Sequence, residues 1–243
     1  MREVGLVSAP KRSREVPQWR LLGRKVIPTP QAVMKVRREI EEELMKKEED
    51  RKKALVPVFN PNPHRHQLPL APKHPLMLLL MDALAQDGAL RKREMGKSVA
   101  LYSSKGCEQQ PWHIDFDPRC KKQKLGELEE PEQQRELQRD LRDRDKPQGV
   151  FWAVQEGCRL MVVGSEGESV EVHLELGDVL IFDGDLVHAG AAYPERDNLR
   201  VHVYLYVKEV AKPSGSTYKV PAFRPVSKVH CYSRGGSLYM YDA

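Results

Sequence analysis

Cysteine is scarce and scattered. The four thiols at Cys107, Cys120, Cys158 and Cys231 form no C-x-x-C pair, which argues against a zinc ribbon or a redox dithiol and for free thiols. Long apolar runs are also missing. The longest, Pro75 to Leu84, falls short of the ~20 residues a membrane-spanning helix needs, so no membrane partner is expected. Neither sign of charge dominates: 40 basic against 35 acidic residues leave a net charge of +5, too small an excess to identify a nucleic-acid binder. Met1-Arg2-Glu3-Val4 lacks the charged-then-apolar layout of a secretory signal, giving an expectation of a cytoplasmic or nuclear protein. What is present is a hydrophobic content of 40% and a charged content of 31% in 243 residues, enough for one large β-rich domain with helical additions, or two small ones, under a heavily charged surface.

The N-terminal part reads as helical. Thr29-Pro30 supplies an N-cap and a first-turn proline. An apolar stripe through Val33, Val36, Ile40 and Leu44 predicts a helix running to about Leu55, its Glu/Lys-rich second half solvated. Pro57 to Pro75 reads as a Pro/His-rich surface loop, with His64 and His66 more consistent with a loop than with a metal site. Pro75 opens a second helix to about Leu90, apolar enough to cover a core. Residues 1–75 therefore read as an N-terminal extension, 76–210 as the main domain and 211–243 as a tail. Residues 118–148 form a charged insertion with a predicted helix from Pro131 to Asp145. The tail carries tyrosines and scattered basic residues, and three roles stay open for it: an edge strand from Ser237 to Tyr241, closure over the site, or binding of a polyanion.

From Ser98 the period changes to that of strands. Ser98–Ser103, Gln109–Phe116, Phe151–Gln155, Arg159–Val163, Ser169–Leu174, Val179–Phe182, Leu186–Ala189 and Leu199–Val207 are short and separated by glycine-bearing turns, the pattern of a sandwich or barrel. The last strand alternates cleanly. Arg200, His202, Tyr204 and Tyr206 share one face; Leu199, Val201, Val203, Leu205 and Val207 share the other. Its apolar face needs cover, which the two helices can give, and its polar face then lines an interior.

Chemistry gathers on three strands. His113 and Asp115 are two positions apart and share a face, and His188 follows the turn Asp183-Gly184-Asp185. Two imidazoles and a carboxylate can occupy one face of an octahedron and leave three positions open, the donor set of non-haem Fe(II) oxygenases. His-x-Asp alone is a weak signal, and the alternative to a metal site is a hydrogen-bonded pair at a strand end. The segment His173-Leu174-Glu175 has similar chemistry but lies too close to His188 in sequence. Arg200 adds weight. A guanidinium inside a barrel is costly unless it meets a carboxylate, and its planar fork suits bidentate capture of one. That carboxylate is either a ligand's or a loop acid's, Asp183 or Asp185.

Gln110-Pro111-Trp112-His113-Ile114-Asp115, then Gly177-Asp178-Val179 through His188-Ala189-Gly190, then Asn198-Leu199-Arg200-Val201-His202 together resemble the 2-oxoglutarate/Fe(II)-dependent dioxygenases. The resemblance spans roughly Ser98 to Val207. It implies an α+β, mainly β protein: a double-stranded β-helix (jelly roll) core with N-terminal helices packed on one sheet. It implies Fe(II) on His113, Asp115 and His188, with 2-oxoglutarate as cosubstrate and its distal carboxylate on Arg200. It further implies Tyr102 as a hydrogen-bond donor to 2-oxoglutarate, and hydroxylation or oxidative demethylation rather than halogenation, since Asp115 fills the position a halide would need. His202 is expected beside the site, with Trp112 and Trp152 as possible walls of the substrate mouth against ordinary packing. Nucleic acid or protein is favoured over a small metabolite as substrate because of the large polar additions. The competing reading is a cupin-like metal-binding jelly roll without a cosubstrate, or an inactive binding module.

Overall fold

The computed structural model describes residues 18–45, 63–116, 146–207, 218–219, 224–234 and 237–242. The predicted helix in the charged insertion, and the first predicted helix beyond Met45, lie outside the described residues.

Two helices and thirteen strands are present among the described residues. Helix α1 is Pro30–Met45. Its first turn is capped as the sequence suggests, with the Thr29 hydroxyl accepting from the Ala32 amide at 3.3 Å. Helix α2 is Pro75–Asp87; the His74 ring accepts from the Leu76 amide, and Gly88 closes the helix at a φ of 82°, a conformation that costs glycine nothing. Among the described residues no helix is long and apolar enough to cross a membrane.

The strands are β1 (Trp19–Leu21), β2 (Arg65–Pro69), β3 (Arg93–Ser103), β4 (His113–Ile114), β5 (Gln148–Trp152), β6 (Cys158–Val163) and β7 (Ser169–Leu174). They continue as β8 (Val179–Asp183), β9 (His188–Gly190), β10 (Asn198–Val207), β11 (Tyr218–Lys219), β12 (Lys228–Arg234) and β13 (Ser237–Asp242). One sheet runs β1-β8-β5-β10-β3-β2, and the other β11-β4-β9-β6-β7-β12-β13. From β3 to β10 the chain passes between the sheets so that β3, β5, β8 and β10 face β4, β6, β7 and β9. This is a double-stranded β-helix.

Period-two alternation assigns the two faces of the first sheet. Val150, Trp152, Val179, Ile181, Leu199, Val201, Val203 and Leu205 pack outward on Val36, Ile40, Leu76, Leu80 and Leu84 of the helices. Phe151, Leu180 and Phe182 point inward to Leu160, Val162, Val170 and Val172 of the second sheet. The helices thus cover one sheet, as expected. The barrel interior is apolar at one end and carries the polar face of β10 at the other. In the tail, β12 lies parallel to β7 and buries Cys231 in the interior cluster.

The strand expected over Gln109–Phe116 is reduced to β4 and that over Leu186–Ala189 to β9, and one segment changes type. The Pro/His-rich connector is not all surface loop: Arg65–Pro69 is β2, paired antiparallel with β3 from Arg65↔Ser103 to Pro69↔Val99. Prolines flanking the segment mask the strand pattern, and Pro69 is tolerated because β2 is the last strand of its sheet, where a missing N–H breaks no ladder. His64 stays in a turn beside Ser104.

Candidate metal centre and the cavity beside it

The site is built by strand register. His113 of β4 and His188 of β9 are direct cross-strand partners, and their rings lie 4.4 Å apart, centroid to centroid. Beyond β4 the chain bends onto the turn between β8 and β9, where the amides of Asp115 and Phe116 both donate to the Gly184 carbonyl, at 3.1 and 2.8 Å. Space is tight there: a Cβ at Gly184 would sit 3.0 Å from the Pro147 carbonyl oxygen and 3.1 Å from the Phe116 Cβ. This bend carries the Asp115 carboxylate to the two imidazoles. Donor atoms of His113, Asp115 and His188 all lie within 4.8 Å of one another.

The backbone fixes both rings. The Nδ1–H of His113 donates to the Pro111 carbonyl at 2.8 Å, and that of His188 to the Leu186 carbonyl at 2.9 Å. Each Nε2 is thereby left as a lone pair facing the centre. Burial pushes both rings down to about 4, so both are neutral near pH 7. Asp115 Oδ2 lies 3.5 Å from His188 Nε2, is buried, and has no hydrogen-bond partner. An orphaned carboxylate oxygen facing imidazole lone pairs is the donor set of a divalent cation of intermediate hardness, and these residues fit iron(II). The other oxygen, Oδ1, accepts from the Tyr204 hydroxyl at 3.2 Å.

The polar face of β10 lines the adjoining cavity. Arg200 is fully buried. It donates from one terminal nitrogen to the Ser103 hydroxyl at 3.0 Å and lies over the rings of Tyr193 and Phe151, at 5.3 and 5.7 Å. Its Nε has no partner. Neither loop acid takes it: Asp185 pairs with Lys146 at 3.0 Å, and Asp183 accepts from Gln148. Among the described residues no carboxylate meets Arg200. His202 lies 3.5 Å from Asp115 Oδ2, and burial pushes it down to about 4.

Three expected neighbours lie elsewhere. Tyr102 faces the helix side of β3, where it packs on the outer core and donates to Asp197 at 3.2 Å. Across the same pairing it stands opposite Leu199, an outward residue, so Leu101 and Ser103 face the cavity instead. Trp152 is buried in that outer core and donates to the Val26 carbonyl. Trp112 packs with Met161, Ala189 and Ala191, away from the cavity. Sequence reading missed Arg65 and Gln110, which do line it. Their signal, alternation along β2 and the Gln-Gln-Pro before His113, was obscured by proline and by the brevity of β4.

Glu171, His173 and His230 form a second close group. There the carboxylate is already occupied, by Arg159 at 2.8 Å and Lys228 at 3.1 Å. Cations hold the positions a metal would need.

Fold and site together define a double-stranded β-helix protein with a two-histidine, one-carboxylate constellation at one end of its barrel. No family model and no curated protein matches the chain. Solved structures similar to it include a prolyl-4-hydroxylase from Pseudomonas putida, at 14% identity over 79% of this chain and 94% of that one, with a TM-score of 0.47. HygX from Streptomyces hygroscopicus, with nickel, 2-oxoglutarate and hygromycin B bound, is 13% identical over 80% of this chain and 85% of that one, with a TM-score of 0.45. EctD from S. alaskensis, in its apoform, is 14% identical over 87% of this chain and 84% of that one, with a TM-score of 0.49. Similarity this distant says nothing about chemistry here, and the fold assignment rests on the strand order above.

Proposed function

We propose that the chain is an Fe(II)- and 2-oxoglutarate-dependent oxygenase, an oxidoreductase that couples oxidative decarboxylation of 2-oxoglutarate to hydroxylation or oxidative demethylation of a second substrate. The observation that carries this reading is Arg200, a fully buried guanidinium with no acid to neutralise it among the described residues, lining the same cavity as the three metal donors. A metal-binding jelly roll without a cosubstrate gives no reason to keep that cation in the interior, where an uncompensated charge is costly.

His113, Asp115 and His188 would hold the iron. Bound there, iron(II) would supply the redox chemistry by which dioxygen reacts with the 2-oxo acid, one oxygen atom ending in succinate and the other in the product, with carbon dioxide released. The protein's own part is positional. His113 and His188 meet the metal as neutral donors, so no proton has to leave them. Tyr204 orients Asp115 through Oδ1 and leaves Oδ2 to the metal. Arg200, steadied by Ser103, receives the distal carboxylate. Phe151, Leu160 and Phe182 line the cavity and limit water around the reacting groups.

Succinate release from 2-oxoglutarate, with Fe(II) and pools of peptides, nucleic acids or metabolites, tests the reading. Wild type should release succinate above background with at least one pool, and Asp115→Ala should not. Equal release by both proteins would overturn it.

A further inference from the structure

The cavity contains a second cation that the reading above does not use. Arg65, on the edge strand β2, is 3% exposed. One terminal nitrogen donates to the Glu108 and Ala191 carbonyls, at 2.9 and 3.1 Å. Its Nε and its other terminal nitrogen are buried without a hydrogen-bond partner. No carboxylate pairs with it among the described residues.

Register places this guanidinium at the Arg200 end of the cavity. Arg65 stands opposite Ser103 across β2 and β3, and the Ser103 hydroxyl is the group that accepts from Arg200. Arg65 therefore shares Arg200's hydroxyl neighbour, and both line one cavity. Its free terminal nitrogen presses against β9 at Gly190, where a Cβ would come within 2.3 Å of it. Only glycine admits the guanidinium that close.

Two buried cations side by side repel each other, and both keep N–H groups unsatisfied. A carboxylate accepts at up to four lone-pair positions, so one carboxylate can serve two guanidiniums. We propose that Arg65 is a second guanidinium on the distal carboxylate of the cosubstrate, making this end of the cavity selective for a 2-oxo dicarboxylic acid over a 2-oxo monocarboxylic acid. The inference rests on the cosubstrate reading above. Arg65 acts here as a binding and specificity residue and supplies no metal donor.

Calorimetric titration of the Mn(II)-loaded full chain separates the possibilities, with 2-oxoglutarate and 2-oxopentanoate as probes, the latter ending in a methyl group. Arg65→Gln should weaken 2-oxoglutarate by about tenfold or more, the scale of one lost charge-assisted contact. It should leave 2-oxopentanoate and Mn(II) affinities within about twofold. Arg65→Lys, which keeps the charge but loses the fork, should fall between wild type and Arg65→Gln for 2-oxoglutarate alone, and it carries the test if Arg65→Gln does not fold. Equal weakening of both acids would reveal a structural role through the Glu108 and Ala191 carbonyls, and unchanged 2-oxoglutarate affinity would remove Arg65 from the site. Either result overturns the inference while leaving the cosubstrate reading intact. Failure of wild type to bind 2-oxoglutarate at all would overturn both.

Discussion

Arg200 is held in the interior at a cost to the empty protein, and a neutral side chain of similar length should expose that cost. In the metal-free and ligand-free protein, Arg200→Met should leave the thermal midpoint unchanged or raise it, because a buried charge without a counter-ion is removed. The same variant should bind 2-oxoglutarate about 100-fold more weakly, the scale of a lost bidentate ionic contact. Scanning calorimetry and ligand titration read the two effects separately, and a lower midpoint with intact affinity would contradict both. The three imidazoles make a second prediction. Burial holds His113, His188 and His202 at about 4 in the folded protein, against about 6.5 for the unfolded chain. As pH falls through that window the unfolded state takes up protons that the folded state does not, so stability is present above about 6.5 and lost toward 4. Urea midpoints of the metal-free protein should fall from pH 7 to pH 5, and flat midpoints would show that the imidazoles are not buried. At this scale the sequence was partly legible. Alternation along β10 placed Arg200 and His202 on the inner face. Tyr102 was misplaced because the facing of β3 depends on its pairing with β10, and Leu199 opposite Tyr102 turns that position outward.

Strands long enough to alternate were readable with both their faces, and short ones were located but given the wrong bounds. The β10 segment announced both its faces. By contrast β4 is only His113–Ile114, and β9 only His188–Gly190. Their extent is set by pairing, of β4 with β9 and β11 and of β9 with β4 and β6, information that no local pattern contains. The β2 segment was hidden for a related reason, since prolines beside an edge strand look like loop. One element-level prediction concerns Gly149 on β5. A Cβ there would come within 2.3 Å of the Phe182 ring, which in turn stacks on His202 at 6.1 Å and lies 5.0 Å from His188, centroid to centroid. Gly149→Ala should push Phe182 toward the imidazoles, destabilising the fold by about 1–3 kcal/mol and weakening metal binding. Denaturant unfolding and Mn(II) titration check both parts. A variant with wild-type metal affinity would show that the ring relaxes away from the site.

Across the whole molecule, function and stability occupy opposite faces of one sheet. Helices α1 and α2 cover the outer face, while the cavity lies between the two sheets. Leu80 is fully buried under α2, so Leu80→Ala should cost about 2–5 kcal/mol. Folded molecules of this variant should keep their metal affinity, because Leu80 belongs to the outer core cluster, which includes none of the three metal donors. This layering was visible beforehand from two apolar helix faces and one apolar face of β10. The role of β12 was not, because its pairing with β7 is parallel and spans a long stretch of chain. Central to the proposed function is that His113, Asp115 and His188 hold one metal while Arg200 receives the far end of a dicarboxylate. Anaerobic titration with Fe(II) and 2-oxoglutarate, followed by the weak visible metal-to-ligand band, tests this most directly. The expected result is a saturable band in wild type, absent in Asp115→Ala and shifted to much higher 2-oxoglutarate concentration in Arg200→Met. No band in wild type, or identical titrations in all three proteins, would contradict it.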